Sequence, residues 1–166
     1  MFVPFEAMPA SSRIWIYQSE KPLSPDQKNL AKDFLTSYCE QWAAHGEPLR
    51  TSFEIAYDHF VVLAVDESFN TTSGCSIDTS VNALKTLGEK IQVDFFNREL
   101  VAFKDEQVFF VELKHLKQKF LDGSLKENTL VFNNLIAEKK QLSTEWIRPA
   151  IQTWLKRYVP GPAIRI

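Results

Sequence analysis

The sequence predicts an α+β fold. Short runs rich in β-branched and aromatic residues are interleaved with two long segments of helical apolar spacing, and turn residues separate them. The 166 residues are 45% hydrophobic and include 13 Phe and 4 Trp, enough apolar surface for a core that needs no disulfide staples. A disordered chain and a membrane span are both excluded, because apolar residues are abundant yet no long uninterrupted apolar run occurs.

Taken in order, Arg13-Ile14-Trp15-Ile16-Tyr17 alternates and predicts a strand over about 12–18. Ser24, Pro25 and Gln27 then stand at capping-box spacing, with proline at the first helical position. The helix they start carries Leu30, Phe34, Tyr38 and Trp42 every four residues, flanked by Ala31, Leu35 and Cys39, until Gly46 and Pro48 end it. Residues 49–57 and 60–66 are β-prone runs parted by Asp58-His59, which predicts a hairpin. After a polar loop, Ile77, Val81, Leu84, Leu87 and Ile91 predict a second helix over about 76–90. Residues 100–103 and 108–111 then give a fourth strand and an extra hairpin strand.

The order β-α-β-β-α-β is that of a ferredoxin-like split βαβ core. The expectation is a single domain, 1–166, with its core over about 12–112. Ile14 and Ile16 would face the helices, leaving Arg13, Trp15 and Tyr17 on an aromatic second face. In the C-terminal part, about 113–158, Leu113, Leu116 and Phe120 predict a short helix ending at Asp122-Gly123. Ile147, Ile151, Trp154, Leu155 and Tyr158 predict another, with Pro149 near its start. These C-terminal helices are expected to pack on the sheet within one cooperative unit, since Phe120, Trp146 and Trp154 would otherwise expose apolar patches. A short tail, 159–166, follows.

Charge is uneven along the chain. Residues 1–112 hold 9 basic and 17 acidic side chains, whereas residues 113–166 hold 10 and 4. The basic C-terminal part can answer the acidic front half or face an external anionic partner. Cys39 and Cys75 are too few for a disulfide framework, and the start lacks a basic region followed by a long apolar run. The chain therefore reads as soluble, cytoplasmic and without membrane insertion.

The segment Ser73-Gly74-Cys75-Ser76-Ile77-Asp78 places a thiol and two hydroxyls at the start of the second helix, where free amides bind anions and favour a thiolate. Ser73, Gly74, Cys75, Ser76 and Asp78 are the candidate ligand-binding residues, with Cys75, His45 and Asp66 the catalytic candidates. The competing structural reading makes Ser73 or Ser76 a helix cap, Asp78 a dipole partner and Cys75 a buried hydrophobe, and burial of Cys75 is the expectation. A thiol enzyme would need a base from His45 at the end of the first helix, His59 in a solvent-facing turn, or His115 at the surface.

Residues 61–67 form an apolar strand ending in Asp66-Glu67, similar to a Walker B strand. No glycine begins a phosphate-binding loop, so ATP binding is not expected. Asp66, Glu67 and Asp78 could gather around a metal, but no zinc-type spacing is present, and neither a metal nor a cofactor is expected.

Trp42-x-x-His45-Gly46-x-x-Leu49, Ser52-Phe53-Glu54-Ile55, Val65-Asp66-Glu67 and the segment from Ser73 to Ser80 together resemble a family of short bacterial proteins of unknown function. Its members are often labelled ABC transporter ATPases. The resemblance implies no established activity and transfers no catalytic residue. The leading functional expectation is a non-catalytic interaction or regulatory module, with a protein partner or a second copy of the chain as the occupant. A small enzyme or anion-binding protein built on the 73–78 segment is the alternative. RNA binding through Trp15 and Tyr17 on an open sheet is a third, against which stand the acidic pI and the lack of an RNP1-like strand, so nucleic acid is not the expected partner.

Overall fold

The first strand, β1 (Arg13–Gln18), is followed by a capping box that starts α1 (Pro25–Gln41) as its spacing predicts. The Gln27 amide donates to Ser24 Oγ at 3.1 Å, and the Ser24 amide donates to Gln27 Oε1 at 2.9 Å. The row Ala31, Leu35 and Cys39 is fully buried, while Leu30, placed in the same stripe by its spacing, is 56% exposed. Two short strands, β2 (Ala43–Ala44) and β3 (Glu47–Pro48), turn at His45 and Gly46, both at positive φ (51° and 80°). That is the geometry of a tight primed hairpin turn. Next come β4 (Thr51–Ala56), β5 (Phe60–Val65) and the long α2 (Gly74–Ile91). The computed structural model describes residues 1–161.

These elements belong to one compact unit, residues 1–98 with 137–140. Its sheet has the antiparallel order β1-β5-β4, so β1 and β4 run parallel on either side of β5. Val61, Leu63 and Val65 of β5 share a core with Ala31 and Leu35 of α1 and Leu84, Leu87 and Ile91 of α2, which puts both helices on one sheet face.

The sequence-based phase of β1 is inverted. Trp15 and Tyr17 pack into the helix-side cluster, with Trp15 5.9 Å from Trp42 and Tyr17 5.6 Å from Phe96, centroid to centroid. Ile14 is buried as well, and every residue of β5 is buried. A sheet covered on both faces has no polar alternation to reveal its phase. The expected open aromatic face is therefore absent from this sheet, and RNA binding on it loses its observation.

The fourth strand also departs from the ferredoxin-like expectation. The free edge of β1 is met by two single bridges, Gln18 to Phe96 and Arg13 to Glu138, rather than by residues 100–103. Those residues form β6 (Leu100–Lys104), which pairs in a different sheet.

That sheet lies in a second compact unit, residues 99–136 with 141 onward. Here β6 forms a hairpin with β7 (Gln107–Val111) through Asp105 and Glu106, both at positive φ. A 3-10 turn over 113–115 leads into α3 (Leu116–Leu121), as the spacing predicts, and Gly123 at φ 79° reverses the chain after it. The next elements are β8 (Leu130–Phe132), α4 (Gln141–Thr144) and β9 (Ile147–Pro149), and the antiparallel order is β7-β6-β8-β9.

The predicted helix over 147–158 does not form. Residues 147–149 pair with β8 instead, and 3-10 turns follow over 150–152 and 154–158. Pro149 cannot donate an intrahelical bond, which breaks the apparent helical spacing there. Leu100, Ala102, Val111, Leu116, Phe120, Val131 and Leu155 are among the buried residues of this unit's core. Both units combine helix with antiparallel sheet, the α+β class. No described helix is long and apolar enough to cross a membrane. The end of the expected tail, residues 162–166, lies outside the described residues.

Candidate functional site

The segment singled out by sequence lies between β5 and α2. Register explains how it is held. Thr51 and Arg13 both pair with Val65, so Arg50 and Arg13 reach the end of β5 where Asp66 and Glu67 leave the sheet.

Asp66 is 2% exposed. Its carboxylate accepts from the Ser68 hydroxyl at 2.6 Å, the Ser68 amide at 3.1 Å and Arg50 Nη1 at 3.4 Å. The Ser68 hydroxyl is the main cause of an Asp66 pKa held below the ordinary 3.8; burial opposes it, while the Ser68 amide and Arg50 assist. Arg50 in turn lies 4.8 Å over the Phe69 ring.

Glu67 turns elsewhere. It accepts from the Thr72 hydroxyl and amide and pairs with Arg13 at 3.5 Å. Burial alone would raise its pKa, but these partners lower it on balance. Each carboxylate is thus spent on bracing the loop. Among the described residues no three His, Cys, Asp or Glu side chains gather as metal ligands, so Asp66, Glu67 and Asp78, separated in sequence by a long loop, do not come together as one acidic site.

The first turn of α2 is closed by Ser73 and Ser76. The Ser76 amide donates to Ser73 Oγ at 3.1 Å, and the Ser73 amide donates to Ser76 Oγ at 2.7 Å. Serine here does what Glu or Gln does in the usual capping box. The Ser76 carbonyl accepts from Trp42 Nε1 at 2.8 Å and Thr79 Oγ1 at 2.7 Å, which ties the helix start to the core.

Gly74, Cys75 and Asp78 are exposed. This reverses the expectation that Cys75 is buried: one position after Gly74 in a helix starting at 74, its side chain projects off the first turn instead of into the sheet. Among the described residues no side chain hydrogen-bonds its thiol.

The histidines do not supply a base for it. His45 is exposed in the β2–β3 turn, beyond the end of α1 rather than on it. His59, expected in solvent, is 8% exposed and its Nδ1 donates to the Ser19 carbonyl at 2.8 Å. His115 is exposed, 4.0 Å from Glu112. Arg13, Arg50, Ser68 and Thr72 were missed by sequence reasoning. Hairpin register, which places Arg50 across from Asp66, is the signal that could have found Arg50.

Stability should register the Asp66 bonds with a definite sign. A depressed pKa stabilises the fold above the unfolded value, and that contribution is lost as pH falls below about 4 through the folded value. Asp66→Asn should therefore lower Tm at pH 7, and the gap from the wild-type chain should narrow on titration from pH 5 to pH 2. A constant gap, read by circular dichroism, would show that Asp66 acts through packing alone.

A second surface lies in the other unit, on the 3-10 turn over 154–158. Tyr158 stacks on Phe120 of α3, with centroids 6.5 Å apart, and meets Trp154 edge-on at 6.1 Å. The Arg157 guanidinium lies over both rings, 5.5 Å from Trp154 and 4.9 Å from Tyr158, and Nη2 donates to the Tyr158 hydroxyl at 3.1 Å. Trp154 remains 42% exposed. Leu155 anchors the turn in the core, and Thr153 Oγ1 caps it by accepting from the Leu155 amide at 3.2 Å.

No protein-family model, curated protein or solved structure matches the chain.

Proposed function

We propose that the chain is a non-catalytic interaction module, and that it offers a protein partner the surface centred on Trp154, Arg157 and Tyr158. The single observation that carries this reading is the exposed Trp154 held against a stacked arginine on a turn whose next residue is buried. Trp, Tyr and Arg are the residue types that dominate binding energy at protein interfaces. Here they are pre-ordered, so little side-chain entropy is left to lose on association. Arg157 and the exposed Lys156 beside it favour an acidic side chain on the partner, and Trp154 favours an apolar one.

The loop between β5 and α2 supports the same reading, since its carboxylates and serines are engaged in structural bonds. The residues that carry the resemblance to the short bacterial family do structural work too: Trp42 and Leu49 are core, His45-Gly46 is a turn, and Ser73 is a cap. The proposal is that this resemblance reports a shared framework rather than an activity.

Affinity purification of the tagged full chain from the cells that express it, in parallel with Trp154→Ala and Arg157→Glu, tests the proposal. One identified protein should co-purify with the wild-type chain and be lost with both variants, whose Tm stays within a few degrees of wild type. Equal recovery with all three chains would overturn the assignment. Turnover of a substrate that depends on Cys75 would replace it with an enzyme.

A further inference from the structure

The second unit contains a cavity of about 490 Å³ whose lining includes Phe103, Lys104, Phe109, Lys126, Thr129 and Leu130. We infer that it binds a small organic anion with a flat apolar body, of the aromatic carboxylate or sulfonate class. The inference concerns a different part of the unit from the Trp154 surface and does not depend on it.

Two walls of different character meet here. One is the turn end of the β6–β7 hairpin, which contributes Phe103, Lys104, Asp105 and Phe109. The other is the loop over 123–129 leading into Leu130 of β8, which has no helix or strand of its own but is fastened by several hydrogen bonds. The Ser124 amide donates to Asp122 Oδ1 at 2.8 Å and the Leu125 amide to the Lys119 carbonyl at 2.9 Å. The Lys126 amide donates to Thr129 Oγ1 at 2.9 Å, and the Thr129 amide returns a bond to the Lys126 carbonyl at 3.0 Å. The carbonyls of Glu127 and Thr129 accept from the amides of Ile151 and Ala150. A loop bonded this way keeps its cavity formed without a ligand, and a ligand then has little ordering to impose.

Charge selects the occupant. Lys104 and Lys126 are exposed lining residues, and among the described residues neither ammonium has a hydrogen-bond or ion-pair partner. Asp105 opposes them with one carboxylate, which leaves one positive charge in excess at the rim. Thr129 Oγ1 already accepts a bond, so its proton is available to an incoming oxygen. Phe103 and Leu130, directly paired across β6 and β8 and so on one sheet face, reward a flat apolar body, and the volume lies in the range of sites for such ligands, about 300–1,000 Å³. A neutral apolar ligand would leave both ammonium groups unanswered.

The test is a titration of the full chain with 8-anilinonaphthalene-1-sulfonate, read by fluorescence and by calorimetry. Saturable binding at one site per chain is expected, with displacement by benzoate. The double variant Lys104→Glu and Lys126→Glu, both at exposed positions, should weaken binding at least tenfold, while Lys32→Glu on exposed α1 surface should leave it unchanged. The neutral analogue N-phenyl-1-naphthylamine should bind at least tenfold more weakly. Absence of saturable binding, or equal binding by the wild-type chain and the double variant, would overturn the inference.

Discussion

Replacing Gly88 with alanine is expected to lower the Tm of the first unit by about 10 °C or more, corresponding to roughly 2–3 kcal/mol. Gly88 lies inside α2, where alanine would ordinarily stabilise a helix by about 1 kcal/mol. The sign reverses because the chain folds back over the last turn. Gln92 takes a left-handed conformation at φ 57°, its amide and that of Val93 both donate to the Gly88 carbonyl, and the Val93 carbonyl comes to rest over Gly88. A Cβ there would sit 2.3 Å from the Val93 oxygen, with the ring of buried Phe95 at 3.7 Å. Backbone must move, and the cap with it. Gly74→Ala is the control, for a Cβ at that position meets nothing within 4 Å. Thermal melts of the two variants should fall on opposite sides or far apart; a Gly88→Ala chain as stable as wild type would show that the cap can open without loss.

Timed alkylation of the native chain with iodoacetamide should label Cys75 at least a thousandfold faster than Cys39. Burial pushes the Cys39 thiol up to about 12 from an ordinary 9.0, which leaves about a thousandth of the usual thiolate near neutral pH before steric exclusion is counted. Cys75 is exposed and open to the reagent. Mass-spectrometric assignment separates two outcomes at Cys75. A rate equal to that of a free exposed thiol fits a surface residue in a capped first turn, and Cys75→Ala should then change stability by no more than about 0.5 kcal/mol. A rate well above it would mark an activated thiol and favour an enzyme over an interaction module.

Much of the fold was legible because it rests on local signals. The Ser24 box, the stripe of α1, the β4–β5 hairpin, α2 and the α3 stop at Gly123 each depend on residues close together in the chain. The candidate site was legible only as a location. Ser73 could be named as a cap from its neighbours alone, but the partners of Asp66 and Glu67 come from strands far away in sequence. Burial of His59 on the Ser19 carbonyl left no trace in either segment.

By itself, the sequence determined the α+β class, the first five major elements in order, and the absence of a phosphate-binding glycine loop. All three follow from spacing over a few residues, where side-chain periodicity and capping geometry act directly on the backbone. Tertiary structure alone decided that β1 turns Trp15 and Tyr17 inward, that β6 leaves the first sheet for another, and that residues 147–149 become a strand. Each is a choice between partners distant in the chain. Apolar residues satisfy either choice until packing, edge hydrogen bonds and the missing donor of Pro149 select one.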